Sequence, residues 1–129
     1  MVKDDLIIRK DILINKLGLW PDFHDFEIVR LEIDRKEPSV LMEIYGFQIL
    51  KEVEKRGCYK RANECIITLK FNGITDIQLK GFNQQNVISS LEFTEESGLL
   101  KTEILTSFGL SGYIVSRNVE VIGIKDIVR

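Results

Sequence analysis

The chain carries one histidine, His24, and it stands between two carboxylates, Asp22 and Asp25. An imidazole beside acids can carry protons or ligate a metal, so any acid–base or metal chemistry in this sequence has to begin there. The local set is thin. A catalytic zinc takes three protein ligands and keeps an open position. In an extended backbone neighbouring side chains point to opposite faces, so His24 and Asp25 diverge and a third ligand has to come from a distant carboxylate. The plainer reading is structural: an imidazole fixed by Asp25 or by backbone, locking the chain as it enters a strand.

Other reactive types are equally isolated. Cys58 and Cys65 lie seven apart, without the spacing of a zinc knuckle or a redox pair, and read as two reduced thiols unless a hairpin brings them within disulfide reach. No Gly-x-Ser-x-Gly elbow and no Walker-type loop occurs. No catalytic residue, bound metal or cofactor is therefore expected. Asn83, Gln84, Gln85 and Asn86 place four amides in a row between Phe82 and Val87. Such side chains either read a ligand or hydrogen-bond a turn to itself, and turn locking is the expectation. Trp20, Phe23 and Phe26 fit a core plug better than a base-stacking platform, because the basic groove that accompanies stacking is missing.

The elements that must position these residues change period along the chain. Leu6, Leu13 and Leu17 fit a helical stripe over residues 6–17, with Asp5 or Asp11 as cap and Gly18 as a left-handed stop. Pro21 then forces Trp20 into extended geometry. Beyond it Val29, Leu31 and Ile33 alternate with charged residues, and so do Val40, Met42 and Ile44, with Leu41, Tyr45, Phe47 and Ile49 on the other face of what reads as a central strand. Cys65, Ile67, Leu69 and Phe71 form another alternation, and Asn72-Gly73 after it predicts a hairpin into Ile77 and Leu79. Residues 51–64 read as a mixed-charge loop or helical turn, with five basic residues against three acidic. Residues 87–94, 99–106, 112–116 and 119–124 are β-rich, divided by turns at residues 96–98, 108–109 and 117–118. The fold class expected is mainly β, a β-sandwich or open barrel of short antiparallel strands, with one short N-terminal helix.

Bulk properties narrow the function. The 129 residues suit one domain spanning 1–129, and 44% hydrophobic with 29% charged residues is a globular balance. A net charge of -2 leaves no basic excess for a phosphate backbone, so nucleic acid is an unexpected partner. No apolar run is long enough for a membrane span, the first residues lack the pattern of a signal peptide, and a cytoplasmic location is expected. Glu92, Glu95, Glu96 and Glu103 stand against Lys101 alone, an acidic stretch near an expected hairpin tip that is suited to steering a basic partner.

Residues 20–28, Trp20-Pro21-Asp22-Phe23-His24-Asp25-Phe26-Glu27-Ile28, resemble the opening motif of the immunity protein 50 family, a Trp-Pro-Ser-Phe-His-Asp run leading into a strand; Asp22 stands where the serine is usual. The similarity continues through residues 69–74 and 79–88, where Phe82-Asn83-Gln84-Gln85-Asn86-Val87 resembles the family's Phe-Asn-x-Gln-Asn-Val run, and through the Phe108-Gly109-Leu110-Ser111-Gly112 turn. Two motifs in the right order, across about residues 17–124, are far more specific than one. The resemblance implies a small β protein of bacterial polymorphic toxin systems that binds a cognate protein toxin. The rivals are a small metal-dependent enzyme or ligand-binding module centred on His24, or a structural subunit using an exposed β face. A toxin-sized reading frame beside the gene favours the first, a metabolic operon the others.

Overall fold

A computed structural model describes the backbone of residues 4–53 and 59–127 and the side chains of residues 5–47 and 64–127. After a 3-10 turn at Asp4–Leu6 come β1 (Ile7–Ile8), α1 (Lys10–Leu17), β2 (Glu27–Asp34), β3 (Ser39–Val53), β4 (Tyr59–Asn72), β5 (Asp76–Lys80), β6 (Val87–Glu96), β7 (Leu99–Phe108), β8 (Ser111–Ser116) and β9 (Asn118–Asp126). The strands form one mixed sheet in the order β1-β9-β4-β3-β2-β6-β7-β8-β5, antiparallel except for the β1–β9 pair. The described residues are thus mainly β with one short N-terminal helix.

Period-2 alternation does what it predicts. Val40, Met42 and Ile44 on β3, Cys65, Ile67, Leu69 and Phe71 on β4, Val119 and Val121 on β9, Leu100 and Ile104 on β7 and Ile114 on β8 all turn to one buried cluster. Residues from both ends of the strand order share that cluster, and β8 approaches β4 as β7 approaches β9, so the sheet bends over its own inner face. β3 is central, between β2 and β4, yet Leu41 and Tyr45 on its other face are only half-buried.

Three expectations need correction. The helix begins at Lys10, not at residue 6, because Ile7 and Ile8 are drawn into extended pairing with Val119 and Glu120. The turn into it is made by Arg9 at φ 65°, with no side-chain cap from Asp5 or Asp11; Leu13 and Leu17 are its buried residues, and Gly18 closes it with an N–H to the Ile14 carbonyl at 2.8 Å. The stretch at residues 51–64 is strand at both ends, since β3 runs to Val53 and β4 starts at Tyr59. Residues 54–58 between them, Cys58 with its expected thiol included, lie outside the described residues.

The third correction concerns Asn72-Gly73. A turn is there, with Gly73 at φ 65°, but it makes no hairpin: β4 already has β3 on one edge and β9 on the other, so β5 crosses over and pairs with β8. The crossing is pinned by the Arg117 N–H to the Asn72 carbonyl at 2.9 Å and the Thr75 N–H to the Val115 carbonyl at 2.9 Å. The left-handed backbone favours glycine there, and a Cβ at Gly73 would displace the exposed Arg117 side chain 2.3 Å away.

Candidate functional site

The motif residues around His24 and Asn86 converge at the narrowest joint of the sheet, where β2 meets β6. The only register pair between these strands is Glu27 opposite Val87. The segment before β2 closes the joint. The Asp22 carboxylate accepts the His24 N–H at 2.9 Å, and Phe23 and Asp25 take left-handed φ values of 64° and 65°. Those two kinks aim the Asp25 N–H at the Ile88 carbonyl, 2.8 Å away, and let Ile88 N–H reach the Phe26 carbonyl at 2.8 Å. An aromatic residue at positive φ is strained, and it persists where packing over-determines it. Phe23 is fully buried and Pro21 is buried beside it. Phe23 meets Trp20, Phe26 and Phe93 with ring centroids 5.6, 5.8 and 6.4 Å away, and Phe26 meets Phe47 at 5.4 Å. Trp20, half-buried, also packs on Phe93 at 6.0 Å, so it covers the plug whose centre is Phe23.

The second motif seals the same joint from the other strand. Asn86 is buried, and its one side chain makes four hydrogen bonds. Its Nδ2 donates to the Ile28 carbonyl at 3.2 Å and the Asn83 carbonyl at 2.9 Å; its Oδ1 accepts from the N–H of Asn83 at 3.1 Å and of Leu110 at 3.0 Å. An amide has two donors and two acceptor sites, so Asn86 is saturated. Asn83 locks the loop itself, donating to the Gly81 carbonyl and accepting the Gln85 N–H. Phe82 and Gln85 are exposed on this loop. Gly109 completes the fit: at φ 95°, a Cβ there would stand 2.4 Å from the Gln85 carbonyl oxygen and 2.6 Å from Asn86 Oδ1. The resembling segments 20–28, 79–88 and 108–112 are therefore parts of one joint, while the remaining one, 69–74, lies on β4 and the turn after it.

His24 is exposed. Its Nδ1–H donates to the Ser89 carbonyl at 2.9 Å, and Nε2 lies 3.6 Å from an Asp25 carboxylate oxygen. The backbone bond to Ser89, then the Asp25 charge, raise its pKa above the usual 6.5. One ring nitrogen is thus committed to the joint and the other faces a single acid. The Ser89 hydroxyl pairs with Ser107 at 2.8 Å. Among the described residues no group of three or more His, Cys, Asp or Glu side chains is placed to hold a metal ion. Cys65 is buried beside the Gly46 carbonyl, and burial pushes its thiol pKa up, away from a reactive thiolate.

The acidic stretch is divided by the sheet. β6 and β7 form a hairpin with Ser97 and Gly98 at its tip, and Glu92 faces Glu103 across it. Glu95 instead pairs with Leu100, which is fully buried, so it lies on the opposite face from Glu92, Glu96 and Glu103. The outer face holds two residues that the sequence reading did not single out. Tyr113 on β8 faces Glu103, donates its O–H to Asp76 of β5 at 2.9 Å, and carries the Lys101 ammonium 5.0 Å from its ring centre; Lys101 also approaches Glu96 at 3.9 Å. Alternation over residues 111–116 was the signal that put Tyr113 outward, but its neighbours depend on strand order.

The sequence profile of the immunity protein 50 family matches residues 10–126. No curated protein and no solved structure matches the chain. None of the described helices is long and apolar enough to cross a membrane.

Proposed function

Because the chain belongs to the immunity protein 50 family, we propose that it is a cytoplasmic, non-enzymatic protein that neutralises a cognate bacterial toxin by forming a stoichiometric complex with it. The family match across residues 10–126 carries this reading. The joint is consistent with it, because the motif residues His24, Asn83 and Asn86 hold backbone carbonyls and amides of their own chain. A binding protein needs a fixed surface of about 800 Å² rather than activated groups.

For contact we assign the outer face of β6, β7, β8 and β5, where Glu103 and Asp76 flank Tyr113 and Glu92 and Glu96 lie on the same face. An aromatic residue flanked by charge suits a binding hot spot, and acids at the rim speed association with a basic toxin. Glu95 drops out of this surface. The test is co-expression with the toxin encoded beside the gene, together with purification of the complex. Rescue of growth and a one-to-one complex are expected; no rescue and no complex at micromolar concentration would overturn the reading. Reversing Glu92 and Glu103 to Lys should then slow association while leaving the fold intact.

A further inference from the structure

β2 has an unpartnered edge within the strand order itself. Its pairing to β6 stops at Glu27, and Ile28 turns both its N–H and its C=O to Asn86. Antiparallel backbone alternates in direction. Across the register shift between Ile28 and Arg30, Leu31 faces Met42 and Ile33 faces Val40, which places them, like Ile28 opposite Ile44, with their N–H and C=O groups pointing away from β3. Among the described residues no backbone group meets them there. The side chains are open as well: Ile33 is 65% and Val29 47% exposed. Neither lysine nor proline occurs between Val29 and Asp34; the bulge at Val29 and the charges of Arg30, Glu32 and Asp34 restrict the edge to a partner of matching charge.

We propose that this edge pairs with the same edge of a second copy of the chain, antiparallel about a two-fold axis, with Leu31 opposite Leu31. Charge selects that register. Centred on Leu31, Arg30 of each copy stands opposite Glu32 of the other, twice over, and Val29 stands opposite Ile33. Centring one residue earlier puts Arg30 against Arg30, and one residue later puts Glu32 against Glu32. Within each copy Arg30 is paired with Glu43 of β3 at 2.8 Å and with Glu32 at 3.0 Å. The paired segment is short, so the dimer is weak and forms in the micromolar range or above.

The test is sedimentation velocity on the full chain from about 1 to 500 µM, with amide exchange at Leu31 and Ile33. Self-association is expected, with protection of those amides rising with concentration. Ile33→Lys changes a side chain already in water and should weaken association at least about tenfold with an unchanged circular dichroism spectrum. Arg30→Glu alone should weaken it similarly, and the exchange R30E with E32R, made together with E43R so that residue 30 keeps an opposite charge on β3, should restore it to within about threefold, because opposite charges again face each other across the two-fold axis. A chain monomeric throughout, an association insensitive to Ile33→Lys, or no restoration in the exchanged variant would overturn the proposal. So would amides that become protected only in a toxin complex, since the edge would then take a strand of the toxin.

Discussion

The β3–β4 pair and the β2–β6 joint hold the sheet together by different means. β3 and β4 stay in register from Ser39 opposite Asn72 to Gly46 opposite Cys65, so backbone bonds recur along the whole length and the side chains need only alternate. β2 and β6 share one register pair, and the remaining bonds come from Asn86, His24 and two left-handed turns. Side-chain hydrogen bonds are specific to residue type in a way that ladders are not. That is why the recognisable motifs of this sequence crowd at the joint.

The comparison can be broken most severely at Phe23. Phe23→Ala removes a fully buried ring from the plug and should lower stability by about 3 to 5 kcal/mol, read by urea denaturation. A loss below about 1 kcal/mol would mean that the plug is not what closes the joint. Asn86→Ala leaves two N–H and two C=O groups without their partner and should cost about 2 to 4 kcal/mol, whereas Leu41→Thr, half-buried on β3, should stay within about 1 kcal/mol. Equal effects would erase the distinction between joint and ladder. A ladder site offers the opposite sign: Thr102 on β7 buries its hydroxyl with no partner among the described residues, so Thr102→Val should raise stability by about 1 kcal/mol in thermal melts.

The smallest effect is electrostatic. The folded pKa of His24 lies above its usual 6.5, so its contribution is fully present below that value and fades as pH rises through the folded pKa. Melting temperature should therefore fall slightly between about pH 6 and 8, and His24→Gln should flatten that slope. An identical slope in the variant would detach the imidazole from the joint.

How much of this was legible follows the same division. Alternation and turn residues are local, so the buried faces of β3, β4 and β9, the stop at Gly18 and the plug residue Phe23 could all be read directly. Strand partners are not local: Asn72-Gly73 encodes a reversal, but nothing nearby tells that both edges of β4 are occupied. β1 was hidden because Ile7 and Ile8 merge into a helical stripe until β9 arrives from the far end of the chain. The split of the glutamates was within reach, since Glu95 and Glu96 are neighbours in a strand and must face apart. The joint itself needed the fold, because Asn86 and Ile28 are 58 positions apart.

The crossing at Asn72 has a kinetic meaning. Asn72 stands opposite Asn118, their side-chain amides joined at 2.9 Å, so the chain from Gly73 to Arg117 departs and returns at one point. That excursion contains β5 to β8, and its contacts β6–β7 and β7–β8 link strands adjacent in sequence. Hairpins of this kind form in microseconds, before distant strands meet. A preformed excursion shortens the effective loop that must close to bring β9 onto β4, and closure entropy grows with loop length. The mispairing that Asn72-Gly73 invites, β5 folding back on β4, would occupy the edge β9 needs, and in the finished sheet the pairing of β5 with β8 leaves that edge to β9.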